Sequence, residues 1–210
     1  MESGLRRRGR PATASRAEVL AAAREQYLAG QRVDVTVIAR NLGVSRATIH
    51  RWFGSRDRLL GEVIASELER LIASIRRRTR KRGGEGLLVL FDRINRALSE
   101  SRPLRRLVEE EHLGALRLLT SSGGVVQPRA VALVEAMIAD EAAAGRYRPT
   151  AEASVLAYAI VRLAEAFLYN DAAFGIRGDH ERLREIEAAL LGVKPATSGR
   201  RRVRASGRRP

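Results

Sequence analysis

An all-α fold is predicted for this chain, and three observations predict it. Apolar residues recur at helical spacing almost throughout, and no run alternates apolar and polar residues between turn signals, so no sheet is expected. Hydrophobic residues make up 45% of the 210, enough for a packed core. Clusters of Gly, Ser and Pro fall between the periodic segments. The chain divides into a basic arm (1–15), a first helical domain with a connecting helix (16–82), a second helical domain (83–192) and a basic tail (193–210).

The elements follow in order. A first helix is expected over Arg16–Leu28, with Leu20, Ala23 and Tyr27 on one face. Two short helices follow, Val35–Asn41 and Arg46–Trp52. A longer one begins after Ser55, with Leu59, Leu60, Val63, Ile64, Leu68, Leu71, Ile72 and Ile75 at helical spacing. It ends in a run of Arg that suits the negative end of the helix dipole. Gly83-Gly84-Glu85-Gly86 reads as the clearest break and the domain boundary. Helices are then expected over Leu87–Ser99, Leu104–Leu119, Pro128–Ala144, Ala151–Asn170 and His180–Leu191. Pro103 and Pro128 suit first-turn positions, Gly145 a helix end, and Thr150 and Asp179 N-caps.

Composition excludes several functions. With no Cys there is no disulfide, thiolate zinc site or Cys nucleophile, and three His leave little for a metal centre. Glu109, Glu110 and Glu111 are adjacent and cannot share one helix face, so they read as a solvated patch rather than a metal site. No Gly-rich phosphate loop and no G-x-S-x-G motif is present. No catalysis, metal or cofactor is expected. No apolar run approaches the ~18 residues of a membrane span, and no apolar segment follows the N-terminal arginines. A cytoplasmic protein without a membrane partner is expected.

Charge is unevenly placed. Residues 1–82 hold 19 basic and 8 acidic residues, a net +11; 83–193 hold 13 and 16, a net −3; 194–210 hold 7 basic and none acidic. A basic first third points to a polyanion, most simply nucleic acid.

The segment from Asp34 to Leu60 is the informative one. Asp34 can cap a short helix that buries Val37, Ile38 and Leu42. Gly43 supplies the left-handed backbone of a tight turn, and Ser45 caps the next helix. On that helix Ile49, Trp52 and Phe53 lie at i, i+3 and i+4 and form the buried side. Arg46, Ala47, Thr48, His50 and Arg51 then face outward, a helix-turn-helix whose second helix fits a major groove.

Over residues 16–65 the chain resembles the DNA-binding domain of the TetR family of transcriptional regulators. The resemblance rests on Ile38-Ala39, Leu42-Gly43-Val44-Ser45, Thr48, Phe53, Ser55-Arg56 and Leu59. Asp34 stands where the family usually has Thr, His50 where it has Tyr (a frequent phosphate contact), and Arg56 where it has Lys. The phrase from Arg51 to Val63 also resembles a subgroup that regulates lactone-degrading genes. The resemblance implies a homodimeric regulator, a ligand-released repressor of a palindromic double-stranded DNA operator. It implies a dimer interface made by the last two helices and an effector inside residues 87–175. A lactone or acyl compound is the expected effector. Arg46, Ala47, Thr48 and Arg51 are the expected reading face, with His50 and Arg56 at phosphate; Arg8 and Arg10, in a flexible arm, are candidates for the minor groove. A sequence-nonspecific DNA-coating protein is the alternative.

In the second domain the candidate effector residues are Phe91, His112, Tyr158, Arg162, Glu165 and Tyr169. The polar stripe Tyr158, Arg162, Glu165, Tyr169 either faces a cavity or is a solvent face with an Arg162–Glu165 pair. His112 shares a line with Val108, Ala115 and Leu119, as a ligand contact or a satisfied core histidine, and Phe91 suits core or pocket. A stripe of Leu183, Ile186, Leu190 and Leu191 on the last helix is expected to be exposed and to drive dimerisation.

Overall fold

The computed structural model describes residues 14–170 and 179–194. They form α1 (Arg16–Leu28), α2 (Val35–Leu42), α3 (Arg46–Phe53), α4 (Arg56–Arg78), α5 (Gly83–Glu100), α6 (Arg102–Glu110), α7 (His112–Thr120), α8 (Val126–Ala143), α9 (Ala153–Glu165), one π-helical turn (Ala166–Asn170) and α10 (His180–Leu190). No strand occurs among the described residues.

Each of the first four helices begins on a side-chain cap. Ser15 accepts from the Glu18 amide, Asp34 from Thr36 and Val37, Ser45 from Thr48, and Ser55 from Arg58. These fix where each helix starts, so the turns between them are short and defined. Two apolar clusters result. One joins α1, α2, α3 and the N-terminal half of α4 through Val19, Ile38, Ile49, Phe53 and Leu59, and takes in α6, α7 and the start of α8 through Val108, Leu119 and Val126. The other joins the C-terminal half of α4 to α5, α8, α9 and α10 through Ile72, Phe91, Met137 and Ile160. The 23 residues of α4, roughly 35 Å long, run through both.

The structure differs from the sequence expectations at four places. The glycines taken for the break are the first turn of α5; the break is the preceding stretch 79–82. A Cβ on Gly86 would stand 2.6 Å from the Lys81 carbonyl oxygen, and one on Gly84 2.6 Å from Val193. Gly here therefore serves close approach as well as freedom of turn. Replacing an exposed helical Gly by Ala normally gains about 1 kcal/mol. Gly86→Ala is expected to lose about 1–3 kcal/mol instead, because backbone must move. A urea midpoint that rises on this substitution would show that the turn yields freely.

The helix expected over Leu104–Leu119 is two helices, broken at Glu111 (φ −124°, ψ 40°). Thr150 does not cap α9; its hydroxyl donates to the Leu190 carbonyl at 2.7 Å, and α9 starts at Ala153. Asp179 does cap α10. Finally, Leu183 and Leu191 are almost fully buried against the protomer's own core, so they are not an exposed stripe; of the four, Ile186 is exposed and Leu190 is half-buried.

Candidate functional site

Gly43, at φ 66°, turns the chain from α2 into α3. Ile49 and Phe53 are buried and Trp52 is half-buried, which pins one side of α3 to the core. The opposite side carries Arg46, Ala47, His50 and Arg51, all exposed. Thr48 is half-buried; its amide donates to the Ser45 hydroxyl and its own hydroxyl lies 3.0 Å from it. Among the described residues no carboxylate forms an ion pair with Arg46, Arg51 or the exposed Arg58 at the start of α4. Arg16 is used internally, stacked over the Phe53 ring at 4.7 Å. Arg8 and Arg10 lie outside the described residues.

Arg56, expected at a phosphate, is engaged elsewhere. Its Nε donates to the Val33 carbonyl at 3.1 Å, and its two terminal nitrogens donate to the Glu111 carboxylate at 2.7 and 2.6 Å. Arg32 approaches the same carboxylate at 3.4 Å. The hydrogen bonds from Arg56 hold the Glu111 carboxyl below its ordinary pKa. The reason for this placement is geometric. Arg56 and Arg58 are two apart on one helix and point to different sides, and Arg58 is the one left facing solvent.

A cavity of about 270 Å³ lies where the two apolar clusters meet. Its wall includes Tyr27 and Leu28 at the end of α1, Leu68 on α4, Phe91 on α5, Val134 on α8 and Tyr169 in the π turn. Tyr169 also packs into the first apolar cluster. The cavity thus reaches α1, which packs on α2 and α3, although no residue of α2 or α3 lines it.

Of the expected effector residues, Phe91, Glu165 and Tyr169 line this cavity; His112, Tyr158 and Arg162 do not. His112 follows the break at Glu111, which ends the continuous line with Val108 and leaves the ring exposed. The polar stripe of α9 is split. Tyr158 is 51% exposed, and Arg162 reaches sideways to donate to the Thr120 carbonyl (2.9 Å) and to Glu165 (2.8 Å). Glu165 and Tyr169 turn inward, where the α-helix gives way to the π turn and the wheel shifts. Burial raises the pKa of both.

Among the lining residues that escaped sequence reasoning are Asn95 and Glu187. Asn95 Nδ2 donates to Glu187 Oε1 at 2.9 Å. Glu187 is fully buried, and its Oε2 has no hydrogen-bond partner. A signal existed: Glu187 sits four residues after Leu183 and four before Leu191, and Asn95 four after Phe91, each a polar residue inside an apolar stripe.

Burial pushes the Glu187 carboxyl from its ordinary 4.5 up to about 8. A carboxyl raised in the folded state favours folding while protonated. Its contribution is intact below about 4.5 and is lost as pH rises towards 8. Glu187→Gln is therefore expected to remove a fall in stability of up to roughly 1.4 kcal/mol per pH unit across that window. Urea unfolding of both proteins at several pH values checks this; parallel curves count against it.

A further surface lies outside the cavity. Val155 and Tyr158 on α9 and Ile186 on α10 are exposed large apolar side chains on two helices that pack together. No described helix is long and apolar enough to cross a membrane.

Residues 82–192 match the family described as tetracyclin repressor-like, C-terminal domain. Among solved structures, the transcriptional repressor QsdR of R. erythropolis, from the TetR family, is similar at a TM-score of 0.81 and 29% identity, over 88% of this chain and 97% of that one. A structure concerned with the control of antibiotic production by bacterial hormones is similar in fold at a TM-score of 0.51 and 19% identity, over 84% and 96% of the two chains. No curated protein matches the chain.

Proposed function

Because the chain belongs to the TetR family, whose members are ligand-responsive DNA-binding repressors that act as dimers, we propose that it holds a palindromic operator through α3 and releases it when a small apolar molecule fills the junction cavity. The observation that supports the release reading most is the position of that cavity. It is bounded by both apolar clusters and by the end of α1, which packs on α2 and α3, so its occupancy reaches the reading unit through one helix.

Arg46, Ala47, Thr48 and Arg51 supply base contacts, Arg51 the main one, and His50 and Arg58 touch phosphate. Thr48 contributes through its methyl group, since its hydroxyl is shared with the Ser45 cap. The arm with Arg8 and Arg10 enters the neighbouring minor groove. The domains divide as the arm 1–15, the DNA-binding domain 16–82, the effector and dimerisation domain 83–192 and the basic tail 193–210. The protein works in the cytoplasm and is not an enzyme.

The effector is small. A cavity of about 270 Å³ has room for a small organic molecule. A lactone or short acyl compound is of that size. Ligand binding favours a state in which Tyr27 and Tyr169 are displaced and the two α3 helices of a dimer stand at the wrong separation.

Footprinting on the DNA flanking the gene tests the reading. One protected inverted repeat, with half-sites about one helical turn apart, is expected. Uniform protection without a preferred site would favour a DNA-coating protein instead.

A further inference from the structure

We infer that the cavity selects uncharged, carbonyl-bearing molecules, and that Glu187, positioned by Asn95, is the side chain that grips the carbonyl. The inference rests on the effector reading above and adds the charge class of the effector and its anchor.

Among the described residues, no Lys, Arg or His lines the cavity. Three carboxyl groups do: Glu67, Glu165 and Glu187. Two of them already have cations. Glu67 accepts from Arg24 at 2.5 Å and from Arg70, and although burial opposes it, these bonds keep its carboxyl below the ordinary pKa. Glu165 accepts from Arg162. Glu187 accepts a hydrogen bond from the Asn95 amide alone. Burial raises its carboxyl to about 8, outweighing that bond and the nearby positive charge of Arg184 on the same helix, while Asp92 acts on it as a negative charge.

The consequences differ by effector charge. A carboxylate or phosphate in this cavity would be stripped of water beside acidic groups, with no counterion to offset the loss. A cation would find no unneutralised negative charge, since the one unpaired carboxyl carries its proton. A neutral carbonyl oxygen meets what is present. The protonated Glu187 keeps Oε1 as the acceptor for Asn95 and offers a hydroxyl at Oε2, the buried atom without a partner. The hydroxyls of Tyr27 and Tyr169, both lining residues, add neutral donors, and apolar side chains such as Leu68, Phe91 and Val134 take the hydrocarbon part. An oxygen left buried without a partner costs free energy, so an effector that supplies one gains at that point.

Titration calorimetry of the full chain at pH 7 with four probes of equal chain length tests this: octanamide, γ-octalactone, octanoate and octylammonium. The two neutral probes are expected to bind at least tenfold more tightly than either ion. Glu187→Leu is expected to weaken octanamide at least tenfold, while Glu187→Gln, which keeps a donor, stays within about threefold of the parent. Asn95→Ala, which leaves the carboxyl but frees its orientation, is expected to fall between them and guards against a Leu variant that fails to fold. An octanoate bound as tightly as octanamide, drawn for instance by Arg105 in the hollow beyond Tyr169, overturns the inference. So does tightest binding of octylammonium, binding of none of the four, or a folded Leu variant equal to the parent. Operator release is read separately. Probes that bind in the expected order yet leave the operator footprint intact sustain the anchor and overturn the release reading instead.

Discussion

Val155→Asp combined with Tyr158→Asp is expected to turn the protein into a monomer and to weaken operator binding by about 10²–10⁴-fold. Burial alone does not explain why these side chains are apolar. Val155 is 56% and Tyr158 51% exposed, and Ile186, on the adjoining helix α10, is 37% exposed. Three of the five exposed large apolar side chains among the described residues thus fall on two packed helices. A two-fold partner laying the same two helices against them would remove the patch from water and form an isologous four-helix contact. Two reading heads on one operator bind as a tethered pair, and the second binds at an effective concentration far above the free one. Charges on the patch leave each protomer folded, because neither side chain is in its core, but dissolve the tether. Light scattering at micromolar concentration measures the mass, and gel shift measures affinity. An unchanged dimer with full operator affinity would move the interface to another face.

The last helix shows how far sequence reasoning reached. That α10 carries an apolar stripe was legible, but which of its residues face solvent was not. Leu183 and Leu191 share the apolar stripe of α10 with Ile186, and periodicity does not say whether such a stripe faces its own protomer or a second copy. The helix-turn-helix was more legible, because its signals are local. Asp34, Gly43, Ser45 and Ser55 each act within three residues of themselves, and all four do so in the structure. Arg56 and His112 stand away from their expected surroundings for a shared reason. Arg56 ends on Glu111, 55 residues away, and the same Glu111 marks the break that turns His112 outward. Nothing local at either residue announces a contact of that range. The buried Asn95–Glu187 pair spans 92 residues and was likewise visible only as two polar residues in the wrong stripe.

The pairing of Arg56 with Glu111 sharpens the expectation for DNA reading. Arg51→Ala is expected to cost about 1–3 kcal/mol at one position of each half-site, hence about 2–6 kcal/mol for a dimer on its operator, and to relax the base preference there. The same substitution on scrambled DNA should cost much less, because only phosphate attraction is lost. Arg58→Ala should behave in the opposite way. It weakens all sequences alike and reduces the slope of log affinity against log salt by about 0.9 for each phosphate contact removed. Arg56→Ala separates from both. Its guanidinium is bonded to Glu111 and Val33, so no phosphate contact is lost and the salt slope stays. What changes is the link between the reading unit and the break that separates α6 from α7, and with it the response to effector. Binding of the three variants to operator and to scrambled DNA across a salt series assigns each arginine. Equal losses on both DNAs for Arg51→Ala would take it out of the base-reading set, and a lowered salt slope for Arg56→Ala would return that residue to phosphate.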